Sequence, residues 1–179
     1  MRVINLPNIF TITRILLLPF FAITLIYGYH QYSLAIFIAA GLTDVLDGLL
    51  ARVKNQITSF GSILDPVADK FFLLTALIIM SINGWIPKWL TIIVISRDLI
   101  VVTGWLILYL ATSTARVEPS ILGKGANALQ FILVGIVLLS INLTGTPYAP
   151  MGILIAIAVL TSLSGLHYIY KGLKIGSGI

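Results

Sequence analysis

The chain has 179 residues, 59% of them hydrophobic and 9% charged, with a net charge of +5 and no cysteine. A soluble domain carries about 25% charged residues, so this balance excludes a water-solvated globule and points to a bilayer. Without cysteine there are no disulfides and no thiolate chemistry. Basic residues scattered singly at segment ends suit anionic headgroups and exclude nucleic acid as a partner.

Apolar stretches near 20 residues recur from end to end, each long enough to cross a hydrocarbon core of about 30 Å. Lipid offers backbone groups no partner, so the expected fold is all-α: a polytopic membrane protein, a bundle of six transmembrane helices forming a single domain over 1–179. The first span runs from Asn8 to Tyr27, behind Pro7, a good first-turn residue, and ends at the polar turn Gly28-Tyr29-His30-Gln31. The second, Ser33 to Leu50, ends in the charged segment Arg52-Val53-Lys54-Asn55-Gln56. The third, Ser59 to Ile82, is broken by Asn83-Gly84 and Pro87. The fourth covers Trp89 to Leu110, the fifth Gly125 to Ile141 and the sixth Met151 to Tyr170. No internal repeat is present. No small-residue cleavage site follows the first apolar run, which sets it apart from a signal peptide.

Basic residues in the short connections predict the orientation. With a cytoplasmic N-terminus, that side receives Arg2, Arg52, Lys54, Arg116, Lys124, Lys171 and Lys174, and the other side only Lys88. Both termini are then cytoplasmic, in a multi-pass protein of the cell inner (cytoplasmic) membrane. Tyr27, Tyr29, Tyr32, Trp85, Trp89 and Tyr148 fall near the outer interface as an aromatic belt.

Four of the six acidic residues, Asp44, Asp47, Asp65 and Asp69, lie within 26 positions. Carboxylates in lipid are costly unless paired, hydrated or bound to metal, which makes the cluster a functional site by default. Asp44, Asp47 and Ala51 recur at three and four and share one face of the second span. Gly61, Asp65 and Asp69 recur at four and share a face of the third. A short connection makes these spans antiparallel neighbours, so the two faces can meet in a four-carboxylate cup at the cytoplasmic surface. Oxygen-only ligands favour Mg²⁺ or Mn²⁺, and two ions about 4 Å apart suit a pyrophosphate. Gly48, Ala51 and Gly61 let a substrate lie against the helix backbones, or serve close helix packing.

The stretch D44-x2-D47-G48-x2-A51-R52-x8-G61-x3-D65-x3-D69 resembles, at all eight fixed places, the signature of the CDP-alcohol phosphatidyltransferase family. Leu6-Pro7-Asn8-x2-Thr11-x2-Arg14 is similar to the family's first-helix opening. Ser96-Arg97-Asp98 and Ser120-x2-Gly123-Lys124 look like segments of its branches that use glycerol 3-phosphate or phosphatidylglycerol. The resemblance implies six transmembrane helices, a homodimer, and transfer of a phosphatidyl group from CDP-diacylglycerol to an alcohol with release of CMP. It also implies that Asp44, Asp47 and Asp65 bind metal while Asp69 is the base. From spacing alone, Asp69 can equally be a fourth metal ligand. Asn8 and Thr11 would bond the nucleotide or its phosphate, and Arg14 would help hold the acidic cup together, or each would serve as an ordinary helix cap or polar packing residue. Arg52 would contact the nucleotide phosphate, pair with an aspartate, or mark topology.

For the acceptor, Arg97, Arg116, Ser120 and Lys124 form a candidate phosphate patch on the cytoplasmic side. Arg97 has a bland reading as a buried or snorkelling residue, with neighbouring Asp98 pointing elsewhere on the helix. Glu118 can orient Arg116 or simply be solvated. His30 and His167 read as interface residues. The compact chain and the patch favour glycerol 3-phosphate among membrane phospholipid precursors. Phosphatidylglycerol is the alternative acceptor, as in cardiolipin synthesis, and inositol phosphate the third. A divalent-ion channel would need polar faces continuing across the membrane, whereas the deep parts of spans three, five and six read as almost wholly apolar.

Overall fold

The computed structural model describes residues 6–54, 61–112 and 121–176, with side chains over 12–43, 68–104 and 121–171. Among these residues the chain is all-α, with helices α1 (Leu6–Ile26), α2 (His30–Lys54), α3 (Gly61–Ile82), α4 (Lys88–Thr112), α5 (Ile121–Thr144) and α6 (Met151–Gly176). The shortest has 21 residues and the longest 26, about 30–40 Å at 1.5 Å per residue. Judged by apolar composition as well as length, two described segments can cross a membrane, Ile121–Thr144 and Met151–Lys171.

Each expected span falls on one helix. Helices α2, α4, α5 and α6 run further than the apolar runs that predict them. Backbone hydrogen bonding does not stop where hydropathy falls, so α2 takes in His30 and Gln31 at one end and Arg52 to Lys54 at the other. The α1–α2 turn is correspondingly tight. Gly28 has φ of 75°, a left-handed conformation that a Cβ disfavours. The Tyr29 N–H donates to the Thr24 carbonyl at 2.8 Å, closing α1, and the Ser33 N–H donates to the Tyr29 carbonyl at 3.0 Å as α2 begins.

The chain divides into two compact units, Met1–Met80 with Val134–Tyr148, and Ser81–Leu133 with Ala149–Ile179. In the first, α1 packs along α2 around the stacked rings of Phe21 and Phe72, 4.5 Å between centroids. Phe37 completes this core at 6.5 and 6.3 Å from the two. Gly135 of α5 packs against Phe37, where a Cβ would lie 3.4 Å from the ring. The Asn142 side chain donates to the His30 carbonyl at 3.0 Å, tying α5 to the start of α2.

In the second unit α4 packs along α6, burying Leu90, Val94, Leu154 and Ile157. Ile92, Leu99 and Val102 of α4 and Ile155, Val159, Leu163 and Leu166 of α6 are exposed. Outer faces this apolar are solvated by lipid far better than by water. Within α5 and α6, Gln130, Thr161 and Ser164 are polar side chains buried among the apolar ones. One amide or hydroxyl per turn barely lowers an average hydropathy.

Candidate functional site

Helix α2 runs unbroken through Asp44, Asp47, Gly48, Ala51 and Arg52, and α3 begins at Gly61 and runs through Asp65 and Asp69. The helical phase that puts the aspartates on shared faces therefore holds on both helices. The side chains of Asn8, Thr11, Asp44, Asp47, Ala51, Arg52 and Asp65, with Gly48 and Gly61, fall outside the residues whose side chains are described, and Arg116 and Ser120 lie outside the described residues altogether.

Asp69 is the member of the acidic set whose side chain is described. Its Oδ1 accepts a hydrogen bond from Nη1 of Arg14. The arginine is buried, with 2% of its side chain accessible, while Asp69 keeps 40%. The contact joins α1 to α3 and pairs Arg14 with one of the four aspartates. Among the described residues no three His, Cys, Asp or Glu side chains gather as a metal site requires. The chemistry of the expected donor set nevertheless fits a hard cation. It is carboxylate oxygen throughout, and the Asp69 carboxylate keeps accessible surface beside its bond to Arg14.

A second polar cluster lies in the other unit. Arg97 of α4 is buried, its Nη1 donating to Asp98 Oδ1 at 2.7 Å and its Nη2 to Ser164 Oγ of α6 at 3.0 Å. The pairing with Asp98 corrects the expectation that this neighbour points away. Adjacent helical positions differ by about 100°, but an arginine side chain is long enough to swing across that gap. The Tyr168 ring centroid lies 5.8 Å from Arg97 Cζ. Ser164 and Tyr168 were not foreseen; the trace they leave in the sequence is a hydroxyl and a ring four residues apart in an apolar span. Lys124 is exposed in the first turn of α5.

A cavity of about 310 Å³ lies at the opposite end of α2 from the aspartates, lined by Gly28, Tyr29, His30, Gln31, Tyr32, Ile141 and Asn142. None of the expected site residues lines it.

A profile of the CDP-alcohol phosphatidyltransferase family matches residues 4–164. The chain belongs to this family. Membership makes it a transferase, and the helices that carry the aspartates lie inside the matched region. The chain is similar to a probable phosphatidylglycerophosphate synthase of Mycobacterium tuberculosis, 35% identical over 99% of this chain and 86% of that protein. It is 36% identical to the CDP-diacylglycerol–glycerol-3-phosphate 3-phosphatidyltransferase of Bacillus subtilis, over 93% of this chain and 94% of that one. Human cardiolipin synthase (CMP-forming) is 34% identical over 73% of this chain and 48% of its own length.

Proposed function

We propose that the protein transfers the phosphatidyl group of CDP-diacylglycerol to sn-glycerol 3-phosphate, giving phosphatidylglycerophosphate and CMP. The observation that carries this reading is coverage. Similarity to the relatives named for this reaction extends over 99% and 93% of the chain, whereas the human cardiolipin synthase matches 73% of it.

In this reading the acceptor hydroxyl oxygen attacks the phosphorus on the diacylglycerol side. The bond from that phosphorus to the bridging oxygen breaks, and its electron pair leaves with CMP. Asp69 takes the hydroxyl proton as general base, its carboxylate held by Arg14. Asp44, Asp47 and Asp65, with Asp69 as a fourth carboxylate, would hold Mg²⁺ or Mn²⁺, two per site, which when bound neutralises pyrophosphate charge and eases departure of CMP. Asn8, Thr11 and Arg52 face the nucleotide, and Gly48, Ala51 and Gly61 leave room for CDP-diacylglycerol against the helix backbones. Arg97, Arg116, Ser120 and Lys124 receive the acceptor phosphate. Support for Arg97 comes from its buried Nε, a donor with no protein partner.

The whole chain, 1–179, acts as one membrane domain with six spans, both termini and the acidic cup facing the cytoplasm, and works as a homodimer. The exposed apolar faces of α4 and α6 and the excess of basic residues on one side support this placement. The test is CMP release by purified protein in mixed micelles with CDP-diacylglycerol and Mg²⁺. Glycerol 3-phosphate, phosphatidylglycerol and inositol phosphate are offered separately, and the lipid product is identified by mass. Release with phosphatidylglycerol alone would move the protein to cardiolipin synthesis.

A further inference from the structure

Arg97 is 7% exposed, ten residues into α4, and the surroundings of its guanidinium are specific. Nη1 meets Asp98 Oδ1 at 2.7 Å, Nη2 meets Ser164 Oγ at 3.0 Å, and the Tyr168 ring lies 5.8 Å from Cζ. Gly165 lies beside the stem, where a Cβ would make an ordinary contact 3.5 Å from Arg97 Cγ. Ser164, Gly165 and Tyr168 occupy one face of α6. The Nε is buried and has no protein partner.

Packing alone does not account for this arrangement. A buried ion pair between apolar helices is matched or bettered in stability by apolar residues of similar volume, and a buried donor without a partner carries a desolvation cost. What the arrangement does accomplish is orientation. Two nitrogens are fixed at points on different helices, and the ring limits rotation about the remaining axis. The free choice of rotamers is therefore lost on folding rather than on binding. The two contacts use two of the five guanidinium N–H donors; Nε is the nitrogen with no protein partner, and its N–H suits an anionic oxygen.

We infer that Ser164, with Tyr168 one turn further along α6, positions the Arg97 guanidinium to receive the phosphate of the acceptor. Helix α6 thereby takes part in acceptor recognition without a charged residue of its own at this level. Asp98 supplies the counter-charge that keeps Arg97 tolerable in lipid when no acceptor is bound. The inference rests on the proposed reading of Arg97 as part of the acceptor-phosphate site.

The experiment titrates glycerol 3-phosphate against CMP release at saturating CDP-diacylglycerol, for the wild type and for Ser164→Ala, Ser164→Thr, Tyr168→Phe, Tyr168→Leu and Arg97→Gln. Thermal unfolding midpoints are measured in parallel. Ser164→Ala and Tyr168→Leu are expected to raise KM for glycerol 3-phosphate about three- to tenfold, the size of one ordinary hydrogen bond or ring contact, because each acts on the acceptor only through Arg97. KM for CDP-diacylglycerol stays within twofold. Ser164→Thr, which keeps the hydroxyl, and Tyr168→Phe, which keeps the ring, recover most of the loss. A Ser164→Ala enzyme with unchanged KM for glycerol 3-phosphate overturns the positioning role, whatever its midpoint. If Arg97→Gln raises that KM while Ser164→Ala does not, Arg97 keeps its acceptor role and only the inference about α6 falls. If Arg97→Gln leaves it unchanged, the acceptor assignment of Arg97 falls, and the inference with it. Wild-type protein inert toward glycerol 3-phosphate overturns the parent reading first.

Discussion

The guanidinium of Arg14 on α1 donates to the carboxylate of Asp69 on α3, and the two partners differ sharply in exposure, 2% against 40%. The pair is therefore asymmetric. Removing the carboxylate strips a buried cation of a counter-charge, whereas removing the arginine leaves a carboxylate that water can reach. Asp69→Ala should destabilise the protein by about 1–3 kcal/mol, less than breaking a fully buried pair because the carboxylate is part-exposed. Arg14→Met should cost clearly less, and the double variant should recover part of the Asp69→Ala loss. Thermal unfolding in detergent of the two single variants and the double variant measures this. Equal losses from the two single variants would show that exposure does not govern the pair.

Asp69 and Asp44 separate chemistry from binding. Asp69→Asn keeps the shape and an acceptor oxygen for Arg14 but removes the proposed base. Turnover should fall about 10²- to 10⁴-fold, with much of the CDP-diacylglycerol binding retained. Asp44→Asn should weaken binding of CDP-diacylglycerol as well and make it less responsive to added Mg²⁺ or Mn²⁺. Binding measured by calorimetry with and without metal, beside CMP release, separates the two. Comparable, metal-independent turnover in both variants would sink the mechanism.

The helices and the helical phase of the aspartates were legible because both depend on local periodicity. Apolar runs mark six helices, and intervals of three and four put Asp44 with Asp47, and Asp65 with Asp69, on single faces once the segments are helical. Helix ends were less legible: α2 continues through Arg52 and Lys54, since charged residues at an interface end an apolar run without ending a helix. The environment of Arg97 was not legible. Ser164 is 67 residues away in sequence, and only the packing of α6 on α4 brings the hydroxyl to the guanidinium. The Asp98 contact depends on a rotamer, which spacing does not encode.

Gly28 gives a prediction confined to stability. With φ of 75°, an alanine there should cost about 1 kcal/mol, read as a lower thermal midpoint. Asp44 lies 14 residues beyond the start of α2 at His30, about 21 Å along the helix. CMP release at a temperature where the variant is folded should therefore match the wild type. A Gly28→Ala enzyme with normal stability and altered KM would instead couple this turn to the aspartate-bearing end of the helix.

Thr161 tests whether any lost hydroxyl on the buried face of α6 would mimic Ser164→Ala. Its side chain is 1% exposed, and its Oγ1 is buried with no protein partner. An unsatisfied hydroxyl costs about 1–3 kcal/mol on burial, and valine has nearly the same shape without that cost. Thr161→Val should leave the thermal midpoint equal or higher and KM for glycerol 3-phosphate unchanged. That result would tie any KM effect of Ser164→Ala to its bond with Arg97, not to the general polarity of the helix face. A fall of several degrees in the midpoint would mean instead that the hydroxyl holds a bridging water, because only a satisfied group is missed when it is removed.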